Sequence, residues 1–100
     1  MDDIIKELRN FSRQRGWEKI HTPQELARAA FIECAELNEI YLWGLAPDHI
    51  RLDEEIADVF IYMLMLCDYL GIDEKRLKEI IGHKICKNAV KYPANQAGVV

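Results

Sequence analysis

Two short acidic pairs in the middle of the chain have the residue types and spacing to do chemistry. The pairs are Glu33 with Glu36 and Glu55 with Asp58, and both are embedded in apolar sequence. The members of each pair are three positions apart, so on a helix both carboxylates would point the same way. A connector over residues 43–47, containing Gly and Pro, allows two such helices to turn back on each other. Four carboxylates would then converge between the helices.

Converging carboxylates require a partner, because an isolated buried carboxylate is very costly. A donor set made only of carboxylate oxygens suits hard cations, Mg²⁺ first and Mn²⁺ as its substitute. Zinc would call for His or Cys at ligand spacing, but His21, His49 and His83 are scattered, and the Glu-x-x-His motif of di-iron bundles is absent. Mg²⁺ usually shares its shell with water and substrate phosphates. The cluster therefore predicts chemistry on phosphate esters or phosphoanhydrides.

The elements that would position these side chains are all helical. Apolar residues recur at helical spacing, Thr22 and Pro23 form a helix start, and Gly16 and Gly71 end helices. Asp73 is expected to cap the last helix. The sequence predicts an all-α, compact four-helix domain over residues 1–93, followed by a weakly ordered tail over residues 94–100. The predicted helices cover residues 2–14, 23–43, 48–70 and 73–91, with residues 16–21 as a loop.

The third predicted helix is apolar almost all round between residues 56 and 70, where only Asp58 and Asp68 are acidic. A helix of that kind is buried on most sides, so it should be the central element and the contact between subunits of a homodimer or homotetramer. Asp58 needs a partner there, whereas Asp68, near the helix end, should be solvated. The run is too short to cross a bilayer, which needs about 20 apolar residues.

Composition excludes several classes of function. The net charge of −4 gives no nucleic-acid footprint, so neither a nucleic-acid polymer nor a membrane is an expected partner. Cys34, Cys67 and Cys86 form no C-x-x-C pair and are an odd number, which indicates reduced and mostly buried thiols of a cytoplasmic protein. The acidic N-terminus lacks the basic and apolar regions of a signal peptide.

The sequence resembles a known family. Residues 32–37 and 55–59 match the E-x-x-E and E-x-x-D signature of the all-α MazG-like nucleoside triphosphate pyrophosphohydrolases. Residues 15–23 are similar to the R-x-W…H-x-P lead-in of the dCTP-pyrophosphatase-like branch, and residues 84–93 fit its closing Lys-Asn-Lys-Tyr-Pro pattern. The resemblance extends over residues 11–93, nearly the whole chain.

The resemblance implies hydrolysis of a (deoxy)nucleoside triphosphate, dCTP-like or modified, to the monophosphate and pyrophosphate, as house-cleaning of the nucleotide pool. It implies that Glu33, Glu36, Glu55 and Asp58 hold Mg²⁺, and that Glu36 or Glu33 orients or deprotonates the attacking water. The residues that the resemblance assigns to substrate binding are Trp17, His21, Trp43, Tyr62, Lys84, Asn88, Lys91 and Tyr92.

A different class of function accounts for the same apolar helices. The chain could be a non-enzymatic module for dimerisation or partner binding, with a vestigial acidic cluster. Trp17 and Trp43 could plug core ends rather than stack on a base, and the lysines of the last helix could form a solvated face. A requirement for a divalent metal separates the two hypotheses, because only the enzyme needs one.

Overall fold

Four α-helices build the chain in the computed structural model, which describes residues 1–42, 46 and 48–94. The residues described include no strand, and the all-α, four-helix prediction is confirmed. Residues Trp17–Lys19, predicted as loop, form one turn of 3-10 helix between the first two α-helices. Of the predicted tail, residues 95–100 lie outside the described residues. The α-helices are α1 (Asp2–Gln14), α2 (Pro23–Leu42), α3 (His49–Tyr69) and α4 (Glu74–Lys91).

Capping residues set the helix boundaries. At the start of α2, the Thr22 hydroxyl accepts a hydrogen bond of 3.2 Å from a backbone N–H. The Asp48 and Asp73 carboxylates accept equivalent hydrogen bonds of 3.0 and 2.8 Å at the starts of α3 and α4. Each of these bonds satisfies an N–H group that has no partner within the helix. Gly16 and Gly71 follow α1 and α3 with φ of +67° and +71°, the left-handed region that favours glycine.

The main packing is between α2 and α3, which fold back along each other, while α1 packs against α3. The prediction that α3 is the central element is therefore confirmed within the described residues. Leu26 on α2 is the most deeply buried side chain, with 2% of its surface exposed. The core is small for a chain of this length. Its apolar members are Ile5, Leu26, Ala30, Ile40, Leu64 and Cys67.

Asp68 is not solvated as the sequence suggested. Both of its carboxylate oxygens accept hydrogen bonds from the Arg9 guanidinium, at 2.6 and 3.1 Å, which ties α1 to the end of α3. The bidentate fork of arginine fits a carboxylate in this way. The expectation failed because the partner lies 59 positions away, and helical spacing shows only partners on the same helix.

Helix α4 is attached to the other helices mainly at its start. The Asp2 carboxylate accepts a hydrogen bond from the Glu74 backbone N–H at 2.8 Å, and the N-terminal ammonium lies 3.6 Å from the Glu74 carboxylate. No residue of α4 is buried. The radius of gyration is 16.4 Å, whereas a compact domain of 100 residues has about 13 Å. A single chain does not reach the compactness that the sequence predicted.

Large apolar side chains stay exposed on three helices. Phe31 on α2 is 73% exposed, Phe60 on α3 is 57% exposed and Val90 on α4 is 83% exposed. The expectation that α3 would be buried on most sides is therefore wrong for one chain, because α3 contacts its neighbours along part of its surface only. Isolated apolar residues are normal on a protein surface, whereas contiguous apolar patches are typical of interaction sites.

The cysteines also differ from expectation. Cys67 is buried, but Cys34 and Cys86 are exposed free thiols, since α2 and α4 present those positions to solvent. Among the described residues, no helix combines the length and the apolar character needed to cross a membrane.

Candidate metal centre and adjoining pocket

Three acidic side chains from two helices converge where α2 and α3 pack together. Glu33 on α2 and Glu55 and Asp58 on α3 each offer one carboxylate oxygen, and these oxygens all lie within 4.8 Å of one another. Glu33 lies as far before the end of α2 as Asp58 lies after the start of α3. Two helices that fold back on each other bring such positions to the same level. All three side chains are half-buried.

The cluster lacks the hydrogen-bond donors that buried carboxylates normally have. The Oε2 atoms of Glu33 and Glu55 are buried, and no described residue donates a hydrogen bond to either. Most buried polar groups in proteins are satisfied, so two orphaned oxygens in one cluster point to a missing partner. A hard cation supplies such a partner, and the oxygen-only donor set fits Mg²⁺ or Mn²⁺.

Electrostatics at Glu33 show the same need for positive charge. Several causes together raise the pKa of Glu33 from its usual 4.5 to about 7: burial is the largest, and hydrogen bonding with the Glu36 and Glu55 carboxyl groups comes next. The charges of Glu36 and Asp58 act in the same direction. Two carboxyl groups can share a hydrogen bond only when one of them is protonated. A cation bound at the cluster would therefore compete with the proton on Glu33.

Glu36, the fourth predicted ligand, lies at the edge of the cluster. It is exposed on α2, one turn beyond Glu33, and it is close enough to raise the pKa of Glu33. It is not one of the three side chains whose oxygens converge within 4.8 Å. The structure thus brings together three of the four predicted carboxylates and leaves the fourth beside them in solvent.

A pocket of about 420 Å³ adjoins the cluster between α1 and α3 and has Asp58 in its wall. Its other lining is mostly apolar and includes Phe11, Trp17 and Tyr62. The Phe11 and Trp17 rings meet edge to face, with centroids 5.4 Å apart. The volume is in the range of small-molecule sites, and an apolar pocket with a few polar groups is the usual form of such a site.

The turn after α1 positions Trp17. Gly16 takes a left-handed conformation, and the 3-10 turn that follows returns the Trp17 ring to Phe11 on α1. His21 lies behind Trp17, with ring centroids 5.7 Å apart, and lines a different cavity of about 470 Å³. Of the predicted substrate-binding residues, Trp17 and Tyr62 line the pocket beside the cluster, and His21 does not.

The predicted site residues near the C-terminus are separate from this pocket. They lie on α4 or directly after it, and none lines the pocket or belongs to the acidic cluster within the described part of the chain. Trp43 lies outside the described residues. The residues concerned are Lys84, Asn88, Lys91 and Tyr92.

Sequence reasoning gave no site role to six of the residues that line the pocket, Glu7 and Phe11 among them. Phe11 was interpreted only as an apolar position of α1, and Glu7 was not considered. A signal for Glu7 exists in the sequence, because no basic residue stands three or four positions from it on α1. A helical glutamate without such a neighbour has no local ion-pair partner.

The fold and the site together define a class of protein: an all-α domain in which a helical hairpin holds a carboxylate cluster beside an aromatic pocket. The model of the MazG-like family matches residues 29–99 of this chain. A pyrophosphatase from Archaeoglobus fulgidus has a similar structure, with a TM-score of 0.79 and 41% sequence identity over 93% of this chain and 92% of its own. The chain belongs to the MazG-like family, which confirms the resemblance seen in the sequence.

Curated relatives are similar over almost the whole of this chain. Human dCTP pyrophosphatase 1 is 31% identical over 107 aligned positions, which cover 97% of this chain and 61% of the human protein. The mouse protein of the same name is 28% identical, with 95% and 60% covered. This chain thus spans about three fifths of the length of these curated relatives.

Proposed function

We propose that this chain is a Mg²⁺-dependent hydrolase that converts (deoxy)nucleoside triphosphates to the monophosphate and pyrophosphate. The observation that carries the proposal is the convergence of three carboxylates, two with buried oxygens that lack donors, beside an aromatic pocket. A cation site next to an apolar pocket suits a substrate with phosphates at one end and a base at the other. The pyrophosphatase names of the similar proteins support the same reaction.

In this proposal Glu33, Glu55 and Asp58 hold the metal, with Glu36 completing the set. Bound Mg²⁺ would neutralise phosphate charge and lower the pKa of a coordinated water. These carboxylates would hold the cation next to the pocket, because Asp58 belongs to both the cluster and the pocket wall. The phosphates would therefore lie against the cluster while the nucleoside extends along α1 and α3.

Glu36 or Glu33 takes the proton from the attacking water. A general base must lie within reach of the water it deprotonates, and both candidates stand on α2 at the proposed metal. Glu36, exposed one turn away on α2, is the other candidate for the base.

The base stacks against the aromatic residues of the pocket. Trp17, braced edge-on by Phe11, offers the largest ring, and Tyr62 lies on α3 one turn beyond Asp58. Stacking of this kind contributes roughly 1–3 kcal/mol per base and tolerates any base. The name of the dCTP pyrophosphatase relatives supports a dCTP-like substrate for this chain. We propose that it acts on dCTP-like or modified nucleotides in a house-cleaning role in the cytoplasm.

The proposed active form is a homodimer or homotetramer. The exposed side chains Phe31, Phe60 and Val90 supply apolar surface for a second copy, and α4 packs little on its own chain. In such an assembly the basic face of α4 would meet the phosphates of a substrate. The residues proposed for that role, with Asn88 and Tyr92 beside the nucleoside, are Lys84 and Lys91.

Pyrophosphate release from a panel of canonical and modified nucleoside triphosphates, with Mg²⁺ and with EDTA, tests the proposal. We expect metal-dependent release from one or two nucleotides, and its loss in Asp58→Asn and Glu36→Gln variants that keep their helical circular dichroism. Glu54→Gln is the matched control, since Glu54 is exposed beside Glu55. Unchanged turnover in Asp58→Asn would refute the site assignment. Silence of folded wild type across the panel would favour the non-enzymatic module.

Sedimentation velocity tests the assembly. The wild type should sediment as a dimer or tetramer, and Phe60→Glu should shift it towards the monomer, because a buried charge without a partner is costly. A monomeric wild type at micromolar concentration would refute this part of the proposal.

A further inference from the structure

The pocket beside the acidic cluster contains one carboxylate that the proposed reaction does not use. Glu7 on α1 lines this pocket together with Ile4, Leu8 and Phe11 of the same helix. These positions are three, one and four residues from Glu7, so they form a continuous face of α1. Among the described residues that line the pocket, the other acidic one is Asp58, which belongs to the metal centre.

Glu7 makes no hydrogen bond or ion pair with any described residue. The positions three and four residues away on α1 are Asp3, Ile4, Asn10 and Phe11, none of them basic. Arg9 and Arg13, the nearest arginines on α1, are paired with Asp68 and Glu18. The Glu7 carboxylate is therefore free to accept a hydrogen bond from a molecule in the pocket.

We propose that Glu7 determines base specificity by accepting a hydrogen bond from the exocyclic amino group of a base. This inference rests on the proposed function, because it requires a nucleotide in the pocket. A carboxylate only accepts hydrogen bonds, so it favours the 4-amino group of cytosine or the 6-amino group of adenine. Uracil and thymine present a carbonyl oxygen at the corresponding position, and two acceptors facing each other repel.

The aromatic lining cannot supply this selectivity. Stacking on Trp17 or Phe11 accepts every base, because each has a similar π-face. Discrimination between an amino group and a carbonyl group at one ring position needs a polar atom that faces it. On the described pocket wall, the polar side chains beyond the metal centre are those of Glu7, Trp17 and Tyr62. The Trp17 N–H only donates and the Tyr62 hydroxyl both donates and accepts, so Glu7 is the group that rejects a carbonyl.

The test compares dCTP and dUTP, which differ at the 4-position of the base, in the wild type, in Glu7→Gln and in Asp3→Asn. Glu7 is exposed, so its replacement should not disturb folding. Asp3→Asn is the matched control, because Asp3 is an exposed acid one turn earlier on α1 and does not line the pocket. The wild type and Asp3→Asn should prefer dCTP by roughly tenfold or more in kcat/KM. Glu7→Gln should lose most of this preference, since an amide can both donate and accept.

A second measurement separates failure of this inference from failure of the proposed function. Calorimetric binding of dCMP and dUMP to the same three proteins requires no hydrolysis. If neither triphosphate is turned over, the proposed function fails. In that case a preference for dCMP that depends on Glu7 would still support the role of Glu7 in base recognition. Three results would overturn the assignment of Glu7. Glu7→Gln could keep the wild-type preference, or the wild type could prefer the uracil nucleotide. The third is that neither triphosphate is turned over and neither monophosphate binds.

Discussion

Replacing Glu33 by glutamine should make the metal-free protein more stable than the wild type. In Mg²⁺ the same variant should be less stable than the wild type. Without metal, Glu33 is the carboxylate whose pKa is raised to about 7, mainly by burial, and its Oε2 atom has no donor among the described residues. Above that pH the ionised side chain opposes folding. Glutamine keeps the shape of the side chain, removes the charge and offers an amide N–H₂ to the orphaned oxygen of Glu55.

The expected gain without metal is about 1 kcal/mol, because an unsatisfied buried polar group costs about 1–3 kcal/mol and this cluster is only half-buried. For a domain of this size, about 1 kcal/mol corresponds to a rise of about 4–8 °C in Tm. With Mg²⁺ at 100 times its Kd, the wild type should gain about 2.7 kcal/mol through binding to the folded state. The variant loses one of the three converging ligands and should gain much less.

Thermal unfolding followed by circular dichroism at about pH 8, in EDTA and in Mg²⁺, measures both effects. Glu33→Gln should melt above the wild type in EDTA and below it in Mg²⁺. The control Glu54→Gln removes the same charge from an exposed position and should follow the wild type in both conditions. If Glu33→Gln melts below the wild type in EDTA, the cluster is not destabilised by its unpartnered oxygens. An equal Mg²⁺ response in both proteins would remove Glu33 from the metal site.

Three further predictions concern pH, stacking and capping. Metal-free wild type should lose stability as pH rises from about 4.5 to about 7, because the folded state holds its proton on Glu33 more tightly than the unfolded chain does; the slope of denaturation free energy against pH should be smaller in Glu33→Gln, and parallel slopes would contradict this. Trp17→Ala should raise KM for the nucleotide by roughly tenfold or more with an unchanged Mg²⁺ response in Tm. Trp17→Phe should restore most of the affinity, and an unaltered KM in Trp17→Ala would exclude stacking. Asp73→Ala should cost about 1 kcal/mol in urea unfolding, because α4 loses its N-cap bond of 2.8 Å; a stability equal to that of the wild type would show that Asp73 does not stabilise α4.

Local signals in the sequence located the helices well, because the determinants are local. Thr22, Asp73 and Gly71 act within one helical turn, and the structure uses them where the sequence placed them. Once α2 and α3 were located, the sequence was enough to predict that Glu33 and Asp58 lie close together. Pairings distant in the sequence had no such signal, and the Arg9–Asp68 bond was therefore missed.

Burial was predicted less well than helix position. Periodicity shows which face of a helix is apolar, but it does not show whether the same chain covers that face. In α3 the apolar surface exceeds what α1 and α2 cover, so Phe60 remains exposed. Helix α4 likewise contributes no buried residue to the core of its own chain. Both observations have one physical cause, which is apolar surface left without a partner in a single small chain.

Four carboxylates were predicted to converge, but the structure brings three together and leaves Glu36 outside. Charge repulsion accounts for this difference. Its backbone lies about 4.5 Å along the axis from that of Glu33, and on the folded-back pair it is level with Glu55. The helix geometry thus permits Glu36 to join the cluster. Without a cation, a fourth carboxylate among Glu33, Glu55 and Asp58 would add repulsion, and the exposed Glu36 side chain avoids it at little cost. A bound divalent cation reverses the sign of that interaction, and ordering one glutamate side chain costs at most about 2 kcal/mol. A bound cation would therefore favour Glu36 among the converging carboxylates over its exposed position in solvent.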